Sequence, residues 1–278
     1  MSNDLSTSDL TRLRALIYEH AGIVLGADKK TMLELRIKPR LRALAFDSFK
    51  QYCALLFEGS DPQELIHLID AVTTNKTDFF REPAHFDFLT RKALPEFTSR
   101  YGTTRPFVVW SAGCSSGEEP YTLAIVLSEY ASAHPGFRFK ILATDICTTV
   151  LQKASLGIYN AEALAPIAHD LRKQYLMRSR ERHIDQWRVV PELRQKIEFR
   201  RLNFMDAHYG LTEKVDAFFC RNVIIYFDRQ TQQQILCKLT TNLIPGGYAF
   251  LGHSETLHGL DVPLTAIAPA LYRKPDVN

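Results

Sequence analysis

Residues 109–119 read Val-Trp-Ser-Ala-Gly-Cys-Ser-Ser-Gly-Glu-Glu, and this stretch carries the clearest indication of the fold. An apolar run over residues 107–110 predicts a buried strand, which breaks at Gly113 and Gly117. A helical pattern then begins at residues 118–120 and continues through regularly spaced apolar residues. A strand, a glycine loop and a helix in this order are typical of a nucleotide-type pocket at the carboxyl edge of a parallel sheet.

The details of this loop indicate what kind of ligand it would bind. Its glycines follow a Gly-x-x-x-Gly spacing rather than Gly-x-Gly-x-x-Gly, and two carboxylates, Glu118 and Glu119, stand in the first helical turn. A pyrophosphate would favour bare N–H donors and a positive field at that position. The acids suit a positively charged adenosyl ligand such as S-adenosylmethionine. A plain strand-to-helix turn would show the same pattern, so this loop alone does not decide.

A second strand supports the ligand interpretation. Residues 139–146 read as an apolar strand that ends in Asp145, which follows Gly117 by 28 residues. An acid at that strand end accepts hydrogen bonds from ribose hydroxyls in dinucleotide folds. The alternative is that Asp145 caps a helix beginning near Thr148. Together with the glycine loop, Asp145 favours an adenosyl site.

The composition is that of an ordinary globular chain. Of its 278 residues, 46% are hydrophobic and 23% are charged, and no apolar run approaches the length of a membrane span. The five cysteines are scattered without a Cys-x-x-Cys pair, which indicates neither a disulfide framework nor a zinc site. The polar N-terminus is unlike a secretory signal. We therefore expect a cytoplasmic protein without direct membrane insertion, and the net charge of +3 is too small to imply nucleic acid.

The chain divides into two parts with a connecting segment. Residues 1–74 predict a helical N-terminal domain of four helices: the first stops at Gly22, the third is capped by Asp47 and the fourth opens at Asp61-Pro62. Residues 75–105 are expected to be a linker that contributes to the site and carries a helix from about residue 84 to 94. Residues 106–278 predict an α/β domain with a parallel, doubly wound sheet. The predicted strands are 107–111, 139–144, 215–220 and 247–252, and the predicted helices are 118–132, 147–156 and 229–243. An antiparallel β-insertion near residues 175–202, outside the main sheet, is expected from short strands at 183–190 and 196–202.

Polar residues mark two further candidate parts of the site. Residues 73–82 lie at the junction between the domains, where Arg81 could clamp a carboxylate, although a linker anchored by Phe79 and Phe80 is the simpler interpretation. Residues 218–228 form a predicted strand that continues into Arg221, Asn222 and Tyr226. The alternative there is that Arg221 pairs with Asp216 or Asp228 and that Tyr226 belongs to the core.

Two other patterns are more ambiguous. Basic residues concentrate on the second predicted helix, where a docking surface for an acidic helix or nucleic acid competes with an ordinary solvated face. The basic residues of this docking hypothesis are Lys29, Arg36, Lys38, Arg40 and Arg42. Residues 252–255, Gly-His-Ser-Glu, could hold a catalytic His–Ser pair, but no third partner is evident, and a turn is the favoured interpretation.

These segments, in this order, resemble the CheR-type chemoreceptor glutamate methyltransferases over nearly the whole chain. The motifs that carry the resemblance are Thr74-Asn-Lys-Thr-Asp-Phe-Phe-Arg81, Gly117-Glu-Glu-Pro-Tyr121, Ala143-Thr-Asp-Ile146, Cys220-Arg-Asn-Val-Ile-Ile-Tyr226-Phe and Gly252-His-Ser-Glu255. One small departure is Ser116, where many members carry threonine.

The resemblance implies a class I methyltransferase domain of Rossmann-like fold, preceded by the small all-helical domain. It also implies an S-adenosylmethionine site with S-adenosylhomocysteine as its product, together with the residues that match the family's. The implied cofactor-binding residues are Asn75, Thr77, Arg81, Glu119, Asp145, Asn203, Phe204, Arg221 and Asn222, and Gly113 joins them from the glycine loop. Arg81 and Tyr226 would lie beside the transferred methyl group as the catalytic residues.

The implied activity is the transfer of a methyl group to receptor glutamates in sensory adaptation. A glutamate is already ionised near pH 7, which explains why no acid–base pair is evident. The basic helix would then steer the acidic, cytoplasmic helical domains of chemoreceptors. We expect a monomer without a nucleic-acid partner or a metal. The alternatives are a methyltransferase for another protein or a small molecule, an adapter that only binds the adenosyl ligand, and a nucleic-acid reader. The sequence leaves open which receptor is used and whether the insertion binds a receptor tether.

Overall fold

The N-terminal part of the molecule is a bundle of helices. The computed structural model describes residues 4–59, 61–181 and 185–276. The bundle consists of α1 (Thr7–Ala21), α2 (Lys30–Ala43), α3 (Phe49–Glu58) and α4 (Pro62–Val72), with a short 3₁₀ turn at Ala27–Lys29 before α2. Their apolar faces form one buried core that includes Leu13, Ile17 and Ile37. The four predicted helices are confirmed.

The ends of these helices follow capping chemistry. Gly22 ends α1 in the left-handed conformation with φ 70°, and Asp61 caps α4 through the N–H groups of residues 63 and 64. The prediction that Asp47 caps α3 is wrong. Ser48 is the cap, because its hydroxyl accepts from the N–H of Gln51 while the Gln51 side chain returns to the Ser48 N–H.

A longer helical segment than predicted joins the two parts. It runs through α5 (Ala84–Phe88), one π-helical turn (Leu89–Ala93) and α6 (Leu94–Tyr101). Its apolar residues, among them Phe86, Leu89 and Phe97, pack into the main core of the α/β domain. The connecting segment is therefore built into the α/β domain beyond residue 84.

A seven-stranded sheet organises the rest of the chain, with strand order β6-β2-β1-β7-β8-β10-β9. Its strands are β1 (Phe107–Ala112), β2 (Phe139–Asp145), β6 (Ile197–Arg201), β7 (Val215–Cys220), β8 (Leu243–Leu251), β9 (Thr265–Ala268) and β10 (Leu271–Arg273). The strands from β6 to β8 pair in parallel, and β10 and β9 close the sheet in antiparallel fashion. The remaining helices are α7 (Glu118–Ala133), α8 (Thr148–Leu156), α9 (His169–Tyr175), α10 (Pro191–Arg194) and α11 (Arg229–Thr241). The predicted doubly wound sheet is confirmed.

The predicted limits of the β-insertion are wrong. A three-stranded antiparallel sheet does exist, in the order β3-β5-β4, with β3 (Ile158–Asn160), β4 (Leu176–Arg178) and β5 (Gln186–Val189). However, residues 197–201 form β6, which pairs in parallel with β2 and belongs to the main sheet. Ile197 is buried in the main core, and this burial places the strand there. This small antiparallel sheet lies in sequence between β2 and β6. It therefore hides the alternation of strands and helices in that part of the sequence. Of the strand predicted to begin at residue 183, residues 183 and 184 lie outside the described residues.

Hydrogen bonds fix the helical bundle on the carboxyl edge of the sheet. The carboxylate of Asp70, in α4, accepts from the N–H groups of Thr148 at 2.9 Å and Thr149 at 3.1 Å, so it caps α8 from the other domain. The hydroxyl of Tyr18 donates to Asp228 at 2.6 Å. Within the described ranges, no helix is long and apolar enough to cross a membrane.

Candidate functional site

A cavity lies where the carboxyl ends of β1, β2 and β7 meet the helical bundle. All eleven residues predicted as catalytic or cofactor-binding line it, namely Asn75, Thr77, Arg81, Gly113, Glu119, Asp145, Asn203, Phe204, Arg221, Asn222 and Tyr226. The helical bundle supplies a wall that the sequence did not predict, formed by Ala21, Ile23, Val24, Leu25, Lys29 and Met32. The apolar residues Ile23, Val24 and Leu25, which follow the end of the first helix, were the sequence feature that could have predicted this wall.

Glycine is required at both loop positions, 113 and 117, but for different structural reasons. Gly113 has φ 88° and lines the cavity, and a Cβ atom there would lie 2.5 Å from the Val223 side chain. Gly117 has φ 100°, and its Cβ would lie 2.9 Å from Cβ of Ala154 and 2.8 Å from the Tyr159 hydroxyl. Gly117 therefore lets the loop pack closely on α8, whereas Gly113 lies at the cavity.

Asp145 holds the loops on both sides of the cavity. One carboxylate oxygen accepts from the N–H of Ser115 at 2.8 Å, and the other accepts from the N–H of Cys147 at 2.9 Å. The first helical N–H groups of α8 bond to Asp70 instead, so the capping alternative for Asp145 is wrong. Burial raises the pKa of Asp145, and these backbone N–H groups oppose that rise. Each oxygen keeps a second lone pair, with which it can accept from a ligand hydroxyl.

Only one of the two acids in the first turn of α7 faces the cavity. Glu119 lines it, whereas Glu118 points away and accepts from the hydroxyl of Ser116 at 2.8 Å. The idea that both acids attract a cationic ligand is therefore wrong for Glu118. The two oxygens of Glu119 are already engaged, with the hydroxyl of Ser111 at 2.6 Å and Nε of Arg221 at 2.7 Å.

Arg221 is the centre of a buried network behind the cavity. Besides Glu119, its guanidinium donates to the carbonyl oxygen of Arg81 at 2.5 Å and lies 3.8 Å from Glu82. The predicted alternative partners are wrong, since Asp216 pairs with Arg105 at 2.6 Å and Asp228 caps α11. Arg221 thereby joins β7, α7 and the interdomain segment at one point.

The side chains of Arg81 and Tyr226 remain open towards the cavity. Among the described residues, the Arg81 guanidinium makes one long hydrogen bond, of 3.4 Å, to the carbonyl oxygen of Lys76. The Tyr226 hydroxyl has no hydrogen-bond partner in that part of the chain, while the carbonyl oxygen of Tyr226 accepts from the N–H of Val24 at 2.9 Å. Both functional groups are therefore available to a bound molecule.

Glu255 sets the conformation of the loop that presents Asn222. Its carboxylate accepts from the N–H groups of Gly252 at 2.6 Å, Asn222 at 2.8 Å, Val223 at 2.9 Å and Ile224 at 2.9 Å. Asn222 is held with φ 59°, in the left-handed region. Residues 252–255 form the favoured turn rather than a catalytic His–Ser pair, and the role of Glu255 in this turn was not expected from the sequence.

The remaining lining residues tie the interdomain segment and the bundle to the cavity. The Ser115 hydroxyl donates to the carbonyl oxygen of Asn75 at 2.7 Å. The amide of Asn203 donates to the carbonyl oxygen of His20, at the end of α1, at 2.6 Å. Phe204 is buried beside it. These bonds close the cavity between the two domains.

The polar groups of the cavity fit an adenosyl ligand that carries an amino acid moiety. Oδ1 of Asn222 is buried without a hydrogen-bond partner among the residues described, so it is an acceptor for a ligand N–H or ammonium group. Asp145 offers acceptors for ribose hydroxyls, and Arg81 offers a planar donor for a carboxylate. Apolar side chains such as Ile23 and Phe204 line the rest.

The proposed docking residues do not form one exposed face. The Arg36 guanidinium donates to the carbonyl oxygens of Val72 at 2.6 Å and Thr73 at 2.7 Å, and Arg40 makes two bonds to the buried carboxylate of Glu64, at 2.9 and 2.5 Å. These two arginines hold α2 against α4, which corrects their placement on a solvated face. Lys29 lines the cavity and lies 3.1 Å from Asp28. Lys38 and Arg42 are exposed and have no side-chain partner within residues 4–59, 61–181 and 185–276.

Comparisons with known proteins give a consistent result. The family model described as "CheR methyltransferase, SAM binding domain" matches residues 75–268, and the model "CheR methyltransferase, all-alpha domain" matches residues 8–73. A "Chemotaxis protein methyltransferase" of Borreliella burgdorferi is 39% identical over 98% of this chain and 95% of its own length. Proteins of the same name from Salmonella typhimurium and Escherichia coli are 41% and 40% identical, over 92% and 96% of this chain and 86% and 91% of theirs.

Proposed function

The chain belongs to the CheR methyltransferase family, and from this premise we propose that it methylates glutamate side chains of chemoreceptors to give methyl esters. S-adenosylmethionine is the cofactor, as the matched SAM-binding domain indicates. The observation that carries the proposal is the cavity at the carboxyl edge of the sheet, which joins carboxylate acceptors to an open guanidinium and an open phenol.

We propose that the cofactor-binding residues are those that line this cavity. Asp145 accepts from the ribose, and the free Oδ1 of Asn222 accepts from an N–H group of the ligand. Arg221 and Glu119 neutralise each other at 2.7 Å, so their main contribution is to fix the walls. Gly113 lines the cavity with φ 88°, where a Cβ atom would collide with the Val223 side chain.

Bound S-adenosylmethionine supplies an electrophilic methyl group on a sulfonium. The acceptor glutamate has an ordinary pKa near 4.3 and is therefore ionised near pH 7, so the protein needs no general base. The task of the chain is to orient the acceptor, which can contribute a large part of the rate enhancement. Arg81 grips the acceptor carboxylate, and Tyr226 orients that carboxylate or the sulfonium through its hydroxyl and ring.

The receptor partner follows from the family and not from any single surface feature. We propose that cytoplasmic helical domains of chemoreceptors approach the open side of the cavity. Of the basic residues in the docking hypothesis, Lys38 and Arg42 are exposed without a side-chain partner among the described residues, so they can steer an acidic helix. That the protein acts as a monomer in the cytoplasm, without a nucleic-acid partner, stays a prediction. The division into residues 1–74, 75–105 and 106–278 also remains a proposal.

A transfer assay tests this function. The protein is incubated with methyl-labelled S-adenosylmethionine and membranes that contain candidate receptors. Label should appear on the receptor and be released by mild base, as an ester requires. Arg81→Ala should abolish most of the transfer, whereas the matched variant Arg91→Ala, at an exposed arginine, should retain it. Donor binding without transfer to any receptor would favour the adapter, and base-stable label would favour another acceptor.

A further inference from the structure

Two histidines and a glutamate converge outside the donor cavity. Glu82 lies just before α5, His85 lies within α5, and His253 lies in the turn after β8. One ligand atom from each residue lies within 4.8 Å of the other two. Neither the donor cavity nor the transfer chemistry uses these three side chains.

The buried members of this cluster have unmet bonding capacity. Both ring nitrogens of His85 and Oε2 of Glu82 are buried and have no hydrogen-bond partner in the described ranges. His85 is only 3% exposed, so its two unpartnered ring nitrogens are shielded from water. An imidazole nitrogen with a free lone pair is a common metal ligand. Buried polar groups without partners are rare in folded proteins, and a bound ion is one of the usual reasons for them.

The geometry of the cluster suits a shared metal ion. The rings of His85 and His253 are 5.5 Å apart between centroids and are inclined at 82°. Two imidazoles bound to one tetrahedral zinc, with Zn–N bonds of about 2.0–2.1 Å, have centroids roughly 5 Å apart. Nδ1 of His85 lies 3.5 Å from Oε2 of Glu82, so an ion between the three side chains requires only small movements.

The surrounding structure holds the three side chains in this arrangement. Glu82 has φ 56°, in the left-handed region, and its Oε1 accepts from the N–H of His253 at 3.3 Å. The rings of Phe219 and Phe250 pack edge-on against His85. His253 is exposed and gives an ion a path from solvent.

We propose that Glu82, His85 and His253 form a binding site for a divalent zinc ion, in departure from the expectation of a protein without a metal. Two histidines and one glutamate are an established ligand set for zinc, with the fourth position left to water. Arg221 lies 3.8 Å from Glu82, but Glu119 balances its charge at 2.7 Å, so these three side chains carry a net negative charge. Among the described residues, His85 has no acceptor for its second nitrogen, and such support typically contributes about 10–100-fold to affinity. The expected affinity is therefore micromolar rather than that of a structural zinc site.

Calorimetric titration of the chelator-treated protein, residues 1–278, with zinc chloride tests the proposal, and it needs no methyl donor. The wild type should bind one ion per molecule, and His85→Gln and His253→Gln should each weaken binding by about tenfold or more. His258→Gln changes an exposed histidine in the second turn after β8 and should bind zinc as the wild type does. Cobalt(II) should give the visible absorption of a tetrahedral site in the wild type and lose it in His253→Gln.

Two results would overturn the zinc site. One is the absence of saturable binding by the wild type at about 100 µM zinc, well above a micromolar dissociation constant. The other is binding that all three variants retain, which would place the ion elsewhere, for example on a cysteine. Because His253 is exposed, its substitution is tolerated sterically, and circular dichroism of each variant separates loss of binding from loss of fold. Neither result bears on the proposed methyl transfer.

Discussion

Replacement of Glu255 by glutamine should destabilise the protein and loosen the donor site. One carboxylate oxygen of Glu255 accepts from Gly252 and Asn222, and the other accepts from Val223 and Ile224. In Glu255→Gln, an NH₂ group replaces one oxygen and faces two N–H donors. Two hydrogen bonds to a charged group are lost, each contributing about 1.5–3 kcal/mol, so the free energy of unfolding should fall by about 3–6 kcal/mol.

Urea denaturation followed by far-UV circular dichroism measures this change. The matched control is Glu213→Gln, because Glu213 is exposed and forms an exposed ion pair with Lys140 at 3.0 Å. An exposed pair contributes about 0–1 kcal/mol, so the control should be nearly as stable as the wild type. Donor affinity, measured by calorimetry below the unfolding transition, should fall in Glu255→Gln because Asn222 loses its fixed backbone. If the two variants differ by less than about 1 kcal/mol in unfolding free energy, Glu255 does not organise the loop as the hydrogen bonds suggest.

Four further predictions address three individual side chains and one pair of exposed cations. Asp145→Asn should weaken S-adenosylmethionine binding by about 1–3 kcal/mol in calorimetry. Unchanged affinity would mean that Asp145 only holds the two loops through Ser115 and Cys147 and does not contact the ligand. Tyr226→Phe should slow the single-turnover rate while the donor dissociation constant stays the same, and the reverse pattern would remove it from the methyl-transfer step. In urea denaturation, Arg40→Ala should cost about 3 kcal/mol because the buried carboxylate of Glu64 loses its cation and keeps the Tyr52 hydroxyl as a donor. The double variant Lys38→Glu with Arg42→Glu should keep its stability but raise the Michaelis constant for receptor, and equal constants at all ionic strengths would exclude steering by these cations.

The parts of the molecule that could be predicted from the sequence are those that neighbouring residues in the chain determine. The apolar run, Gly113 and the first turn of α7 indicated a pocket at the carboxyl edge of a parallel sheet, and the structure has that sheet. Asp145, at the end of the next strand, was placed at the same edge by the geometry of parallel strands alone. The resemblance to the family's motifs added Asn75 and Asn203 to the predicted cofactor-binding residues. The spacing of apolar residues along the chain could not have indicated them.

The features that the sequence missed depend on partners far apart in the chain. Asp70 caps α8 across 78 residues, and Arg36 bonds to carbonyl groups 36 and 37 residues away. A basic helix with such partners has the same sequence pattern as a solvated one. The strand β6 was misassigned because its partner β2 lies on the other side of the antiparallel excursion. In each case, tertiary contacts decided between two locally equivalent interpretations.

Peptide mass spectrometry of a receptor after reaction tests the central claim most directly. The receptor is incubated with S-adenosylmethionine and either the wild type or Arg81→Ala, then digested and sequenced. We expect one added methyl group on glutamate side chains of the receptor's helical domain, removed by mild base and nearly absent with Arg81→Ala. Methylation confined to lysine or to other residues, or equal glutamate methylation by the two proteins, would contradict the proposed function of this cavity.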